Sequence, residues 1–313
     1  MRRYKVVMDR SIGIVILNNY PLPFGERVGV RGIVFFIILF MSSTVGLAGE
    51  DAGPGPGATY LEARSYNNNG VEFVNSGKYE EASGEFQKAL EIDPDFHVAR
   101  YNLGLAYYNM GKTKEAISEL EYLTNSSYYF VNAHYNLGTI YLREGMLDEA
   151  LKQLKVVIEL QPNHAEAHFN LGFIYFKKDA FQDAIAEYKK ALEINPDSIK
   201  GLLSLAFIYE KNNMYKEAIE EYSLALELDP NHQEAQQALG GAKAISQIKE
   251  KLKSAPNDAQ AYINLGHIYY ARGMYKEALD SYNSALQYDP QNNLAKTSAE
   301  KAVKRLERPP DIP

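Results

Sequence analysis

The sequence predicts an all-α fold, a solenoid of thirty-four-residue helix-turn-helix repeats, and three observations carry that prediction. Glycines recur at a thirty-four-residue step at Gly70, Gly104, Gly138 and Gly172, with Ala206 continuing the series. Prolines keep the same step at Pro162, Pro196 and Pro230, with Pro94 two steps before Pro162. Two further series run in register with these: Phe73, Tyr107, Tyr141, Tyr175 and Tyr209, and Ala82, Ala116, Ala150, Ala184 and Ala218. A fixed period of this length means stacked supersecondary units, so the length of 313 residues sets no domain count.

The unit 165–198 shows how each repeat is built. Ala167, Leu171, Ile174 and Tyr175 fall at three- and four-residue spacing and give a helix with one apolar face. After a break at Asp179-Ala180, the residues Ala184, Ile185, Tyr188, Ala191 and Leu192 repeat that pattern. Asn195-Pro196-Asp197 ends the second helix, because proline lacks an N–H and disfavours a helical residue before it. Glycine inside a helix costs about 1 kcal/mol against alanine, so the recurrence at Gly172 needs a packing reason. A close crossing of Gly172 by Ala184 is expected. A thirty-four-residue unit with this Leu-Gly, Tyr, Ala and Pro pattern resembles the tetratricopeptide repeat, over roughly 63–292. The tryptophan common early in that family's repeat is replaced by Tyr66, Arg100, His134, His168, Leu202 and Tyr262. The resemblance implies a right-handed α/α superhelix whose first helices line a concave surface.

Along the chain, residues 1–48 read as an N-terminal extension followed by a signal peptide or membrane anchor. GIVFFIILFM, 32–41, is unbroken apolar sequence behind Arg27 and Arg31, and small residues follow up to Ala48. The run has signal-peptide length, and adding Ser42 to Ala48 brings it near the ~17-residue minimum for a span. PLPFGERVGVRG, 21–32, looks like translated intergenic repeat sequence, which places the expected start downstream at Val28 or Val30. Residues 49–62 have linker composition. Five repeats are then expected over 63–232, the second ending irregularly at Thr124 to Tyr129, where Asn and Ser can turn the backbone.

After Pro230 the step fails. Gly240 to Gly266 and Pro230 to Pro256 are both twenty-six residues, so eight residues are missing from 233–258. Ala235, Leu239, Ala242, Ile245, Ile248 and Leu252 form one apolar stripe, which predicts a single cap-like helix weakened at Gly240-Gly241. The array is expected to part here, with the following segment packing through Ile245, Ile248 or Leu252. A sixth repeat spans 259–292, a charged cap helix 293–308, and a tail 309–313.

Chemistry is sparse. With no cysteine there is neither a disulfide nor a Cys-based zinc site, nor an acylated lipoprotein anchor. The net charge of −7 includes +4 from residues 1–48, so the remainder carries −11, which argues against nucleic acid as a partner. No phosphate loop, GxSxG or HExxH occurs. His164 and His168 share a helix face, but a third ligand is lacking, so a solvated pair is expected rather than a metal site. Neither enzyme activity nor a cofactor is expected.

Binding is. Asn68, Asn102, Asn136 and Asn170 keep the thirty-four-residue step, and Asn264 resumes it in the last repeat. Asparagine is a mediocre helix former, so its repetition points either to ligand contact or to bonds between helices. With Tyr101, Tyr135, Phe169, Tyr108 and Phe176 beside them, these residues form the candidate groove site. Two functions fit: a non-catalytic scaffold binding an extended peptide or protein segment at the bacterial cell envelope, or a glycan-binding accessory of polysaccharide export. Either places the repeats on the periplasmic side, exported or anchored, with membrane contact only through the N-terminal segment.

Overall fold

The computed structural model describes residues 58–126 and 130–307, and every regular element among them is a helix. The expected signal or anchor, most of the linker, the end of the second inter-repeat turn and the C-terminal tail lie outside the described residues. Contacts divide the described chain into two compact units, 58–174 and 175–307, with the division inside one helix.

The first unit holds α1 (Ala58–Asn75), α2 (Tyr79–Ile92), α3 (His97–Asn109), α4 (Thr113–Ser126), α5 (Val131–Arg143), α6 (Leu147–Leu160) and most of α7 (Ala165–Lys177). Helices α1 to α6 each pack on the next in sequence. The linker was expected to reach residue 62, whereas α1 already begins at Ala58, where the Tyr60 ring packs 6.1 Å from that of Phe96. The alanine series is fully buried at Ala82, Ala116 and Ala150, as are Leu120, Leu137, Leu154 and Ile174.

At Gly104 and Gly138 the side chain against the glycine is not the alanine that was expected at Gly172. A Cβ on Gly138 would stand 2.9 Å from Leu154 Cγ, and one on Gly104 3.1 Å from Leu120 Cγ. The residue that occupies the glycine's space is thus the large one sixteen positions on, not the alanine twelve on. That alanine is buried as well, but the side chain the glycine admits is Leu120 or Leu154 here, Phe86 at Gly70 and Tyr282 at Gly266.

The second unit holds α8 (Phe181–Ile194), α9 (Ile199–Lys211), α10 (Tyr215–Leu228), α11 (Gln233–Ser254), α12 (Ala259–Ala271), α13 (Tyr275–Tyr288) and α14 (Asn293–Leu306). Residues 233–254 are one helix, and Ile245 sits in a cluster with Tyr215, Leu265, Tyr269, Met274, Ala278 and Tyr282. Ile248 and Leu252 pack against the same cluster. The array was expected to part at 233–258, yet 175–232 and 259–307 belong to one compact unit. The apolar cluster joins the two sides, and polar bonds cross the bridging helix as well. Arg272 at the end of α12 donates to both carboxylate oxygens of Glu210 on α9, at 2.8 and 2.6 Å. Lys211 Nζ lies 2.6 Å from Glu277, and Tyr215 and Tyr269 share a hydrogen bond of 2.9 Å. Gly241 leaves room for this clasp, because a Cβ there would stand 3.0 Å from Arg272 Cδ.

The cap helix α14 buries Ala295, Ser298, Ala299 and Ala302. At the position that most repeats fill with glycine it carries the exposed Glu300.

Candidate functional site

The first helices of successive repeats meet side by side, and the candidate asparagines lie along that seam. Asn102 Nδ2 donates to Asn67 Oδ1 at 3.0 Å. Asn136 Nδ2 donates to the Tyr101 hydroxyl at 2.6 Å and to the Asn132 carbonyl at 3.1 Å. Asn170 bonds the Tyr135 hydroxyl in the same way. Apart from the Asn136–Asn132 bond within α5, each spans thirty-five residues, from one repeat to the next. These amides are rungs between first helices.

Burial follows from that role. Asn136 is 1% exposed, and Asn170, Tyr101 and Tyr135 are buried with it. Burial pushes the Tyr101 phenol up, and that of Tyr135 up to about 12, so both remain protonated donors and acceptors at neutral pH. These four residues, expected to face a ligand, bond one another where adjacent first helices touch, while Asn136 Oδ1 is buried without a hydrogen-bond partner. Asn102 and Asn68 remain half-buried, and Asn264 is exposed and accepts from Gln260 Nε2 at 3.0 Å. Phe169 is half-buried. Phe176, also half-buried, packs edge-on to Phe207 at 5.5 Å.

The rung chemistry ends in the sequence itself. The next pair thirty-five apart is Phe169 and Ser204, where neither phenol nor amide is present. Ser204 instead bonds the Tyr188 hydroxyl.

Tyr108 retains a surface. It is half-buried, its hydroxyl accepts from Arg143 Nη1 at 2.9 Å, and the guanidinium lies over its ring at 5.8 Å. Arg143 is exposed and was absent from the candidate residues. Its signal is the series Asn109, Arg143, Lys177 and Lys211, polar at the same thirty-four-residue step as the asparagines.

The histidine pair is not solvated as expected. His168 is buried with Nε2 2.9 Å from the Pro162 carbonyl, and His164 Nδ1 accepts from the Ala167 N–H at 3.2 Å. Each turns a ring nitrogen to the backbone. Among the described residues no group of three or more His, Asp or Glu side chains is placed to hold a metal ion.

Comparison with known proteins agrees with the repeat geometry. The TPR repeat profile matches residues 70–111 and 138–179, and tetratricopeptide repeat profiles match 98–126, 165–198, 199–232 and 259–292. Small glutamine-rich tetratricopeptide repeat-containing protein 2 of Mycosarcoma maydis is 36% identical over 53 residues, which is 17% of this chain and 15% of that protein. The crystal structure of MamA superposes with a TM-score of 0.50 at 26% identity, covering 51% of this chain and 94% of MamA. A tetratricopeptide repeat protein from Parabacteroides merdae gives 0.54 at 18% identity over 78% of this chain and 99% of its own. The paired helices, the glycine crossings and these matches together place the chain in the tetratricopeptide repeat family.

Proposed function

We propose that the protein is a non-catalytic scaffold that binds an extended segment of a partner protein along the first-helix face of residues 58–174, at the cell envelope. A scaffold built on protein-protein contact is what a tetratricopeptide repeat array supports by fold analogy. The observation that carries the finer reading is the pair Tyr108 and Arg143. A half-buried ring and an exposed guanidinium on neighbouring first helices offer apolar cover and a fixed fork of donors to one bound chain. Asn102 and Asn68, each half-buried, extend that surface toward α1.

The glycan reading loses ground, since Tyr101 and Tyr135 are buried and cannot stack on a sugar ring. The envelope location rests on the Arg-flanked apolar run at 32–41; no helix among the described residues is long and apolar enough to cross a membrane.

Selection of a displayed peptide library on the full chain tests the reading. Tyr108→Ala with Arg143→Ala should abolish enrichment of the selected peptides at an unchanged melting temperature. Peptides that bind the double variant as well as the wild type would sink it. Fractionation of cells, with the repeats found in the periplasm or on membranes, tests the location.

A further inference from the structure

Two inter-repeat turns carry one six-residue pattern: Pro-Asn-His-Ala-Glu-Ala at 162–167 and Pro-Asn-His-Gln-Glu-Ala at 230–235. In both, the histidine is the helix N-cap. His164 Nδ1 accepts from the Ala167 N–H and His232 Nδ1 from the Ala235 N–H, each at 3.2 Å. Helices α9, α12 and α14 are capped instead by Ser198, Asp258 and Asn292. A hydroxyl or amide oxygen accepts at any pH, and Asp258 is held ionised below its usual range by its bond to Lys251 and the Ala261 N–H. An imidazole accepts only while that nitrogen is deprotonated.

The same nitrogen has a second partner. Glu166 Oε2 lies 3.5 Å from His164 Nδ1, so a proton on Nδ1 ends the bond to the helix and turns the ring toward the carboxylate. The other groups facing this ring are His168 from α7 and Tyr135 from α5, whose ring centre is 4.7 Å away. At His232 the corresponding groups are Glu234 on α11 and Asp229 at the end of α10, which accepts from the Asn231 N–H. A cation at a helix N-terminus also opposes the helix dipole.

We propose that His164 and His232 are proton-operated caps, which release the first turns of α7 and α11 in mild acid while the helices capped by Ser, Asp and Asn stay closed. Burial pushes His164 below its ordinary value, with Glu166 acting against that shift. The sign follows: the released turn binds the proton more readily than the capped one. At His164 the cap is therefore fully present above about pH 6.5 and is lost as the pH falls below it. Release at His164 also frees the ring packed at a tilt against Tyr135, the hydroxyl of which holds the Asn170 rung.

Amide hydrogen exchange of the full chain, wild type against His164→Asn with His232→Asn, tests this, because asparagine caps without titrating. The wild-type to variant ratio of exchange rates at the Ala167 and Ala235 amides should rise about fivefold from pH 7.5 to pH 5.0, the value of an ordinary cap. At Gly201 and Ala261 the ratio should stay constant. A ratio at Ala167 and Ala235 that does not change with pH would overturn the proposal. In the wild type alone, the His164 ring and the Ala167 amide should titrate together by NMR; an Ala167 resonance indifferent to the ring's protonation overturns it equally.

Discussion

Between α3 and α5 the join is neutral, an asparagine amide donating to a buried phenol, whereas between α9 and the end of α12 it is ionic, a guanidinium gripping a carboxylate that is 1% exposed. The neutral rung recurs wherever the thirty-four-residue step is intact and both residues are present. It can recur because it buries no charge. The ionic clasp occurs where the step is broken. Buried ion pairs rarely add net stability, and specificity of docking is the better account of this one. Burial pushes the Glu210 carboxyl up, and Arg272 pulls it back.

The largest effect should come from breaking that clasp. Glu210→Ala or Arg272→Ala leaves a buried charge without its partner and should cost about 3–5 kcal/mol in urea unfolding. Replacing both with apolar residues of similar volume should cost far less. If the double variant were no better than the singles, the pair would be a plain source of stability and the contrast with the rungs would fail.

The rungs should matter less individually. Asn136→Ala leaves the Tyr101 hydroxyl buried without that bond and should cost about 1–3 kcal/mol. Asn264→Ala, at an exposed position, should move the melting temperature by less than the scatter of the measurement. A triple change at Asn102, Asn136 and Asn170 that left melting untouched would remove the rungs from the account.

The smallest effects contrast two glycines. A Cβ on Gly240 meets nothing within 4 Å, because the second helix that would fill its space is missing. Gly240→Ala should therefore stabilise the bridging helix by about 0.8–1 kcal/mol. Gly138→Ala drives a methyl into Leu154 and should destabilise. Thermal melts of the two variants moving in the same direction would refute the contrast.

The repeat core was legible because its rules act within a residue column: Leu137, Ala150 and Gly138 each keep one thirty-four-residue step. The rungs were half legible. Asn102, Asn136 and Asn170 stood out as a column, but their meaning lies in a thirty-five-residue relation to Asn67, Tyr101 and Tyr135 in the repeat before. Columns read separately hide it. The clasp was not legible at all, since Glu210 and Arg272 are sixty-two residues apart across a shortened unit and neither belongs to a series. Gly240-Gly241 read only as a weak point of the helix, whereas Gly241 makes room for the Arg272 side chain.

The thirty-five-residue relation also sets a grammar for how such an array can grow. Repeats 97–130 and 131–164 each carry an asparagine that reaches back and a tyrosine that is reached, so either can be copied in place and the copy is joined on both sides. Repeat 165–198 carries the asparagine but offers Phe169, so a copy of it can follow a tyrosine repeat and nothing can be rung-bonded to its far side. The interchangeable cassettes of the rung ladder are thus the second and third, and the fourth ends the ladder although the array runs on without it.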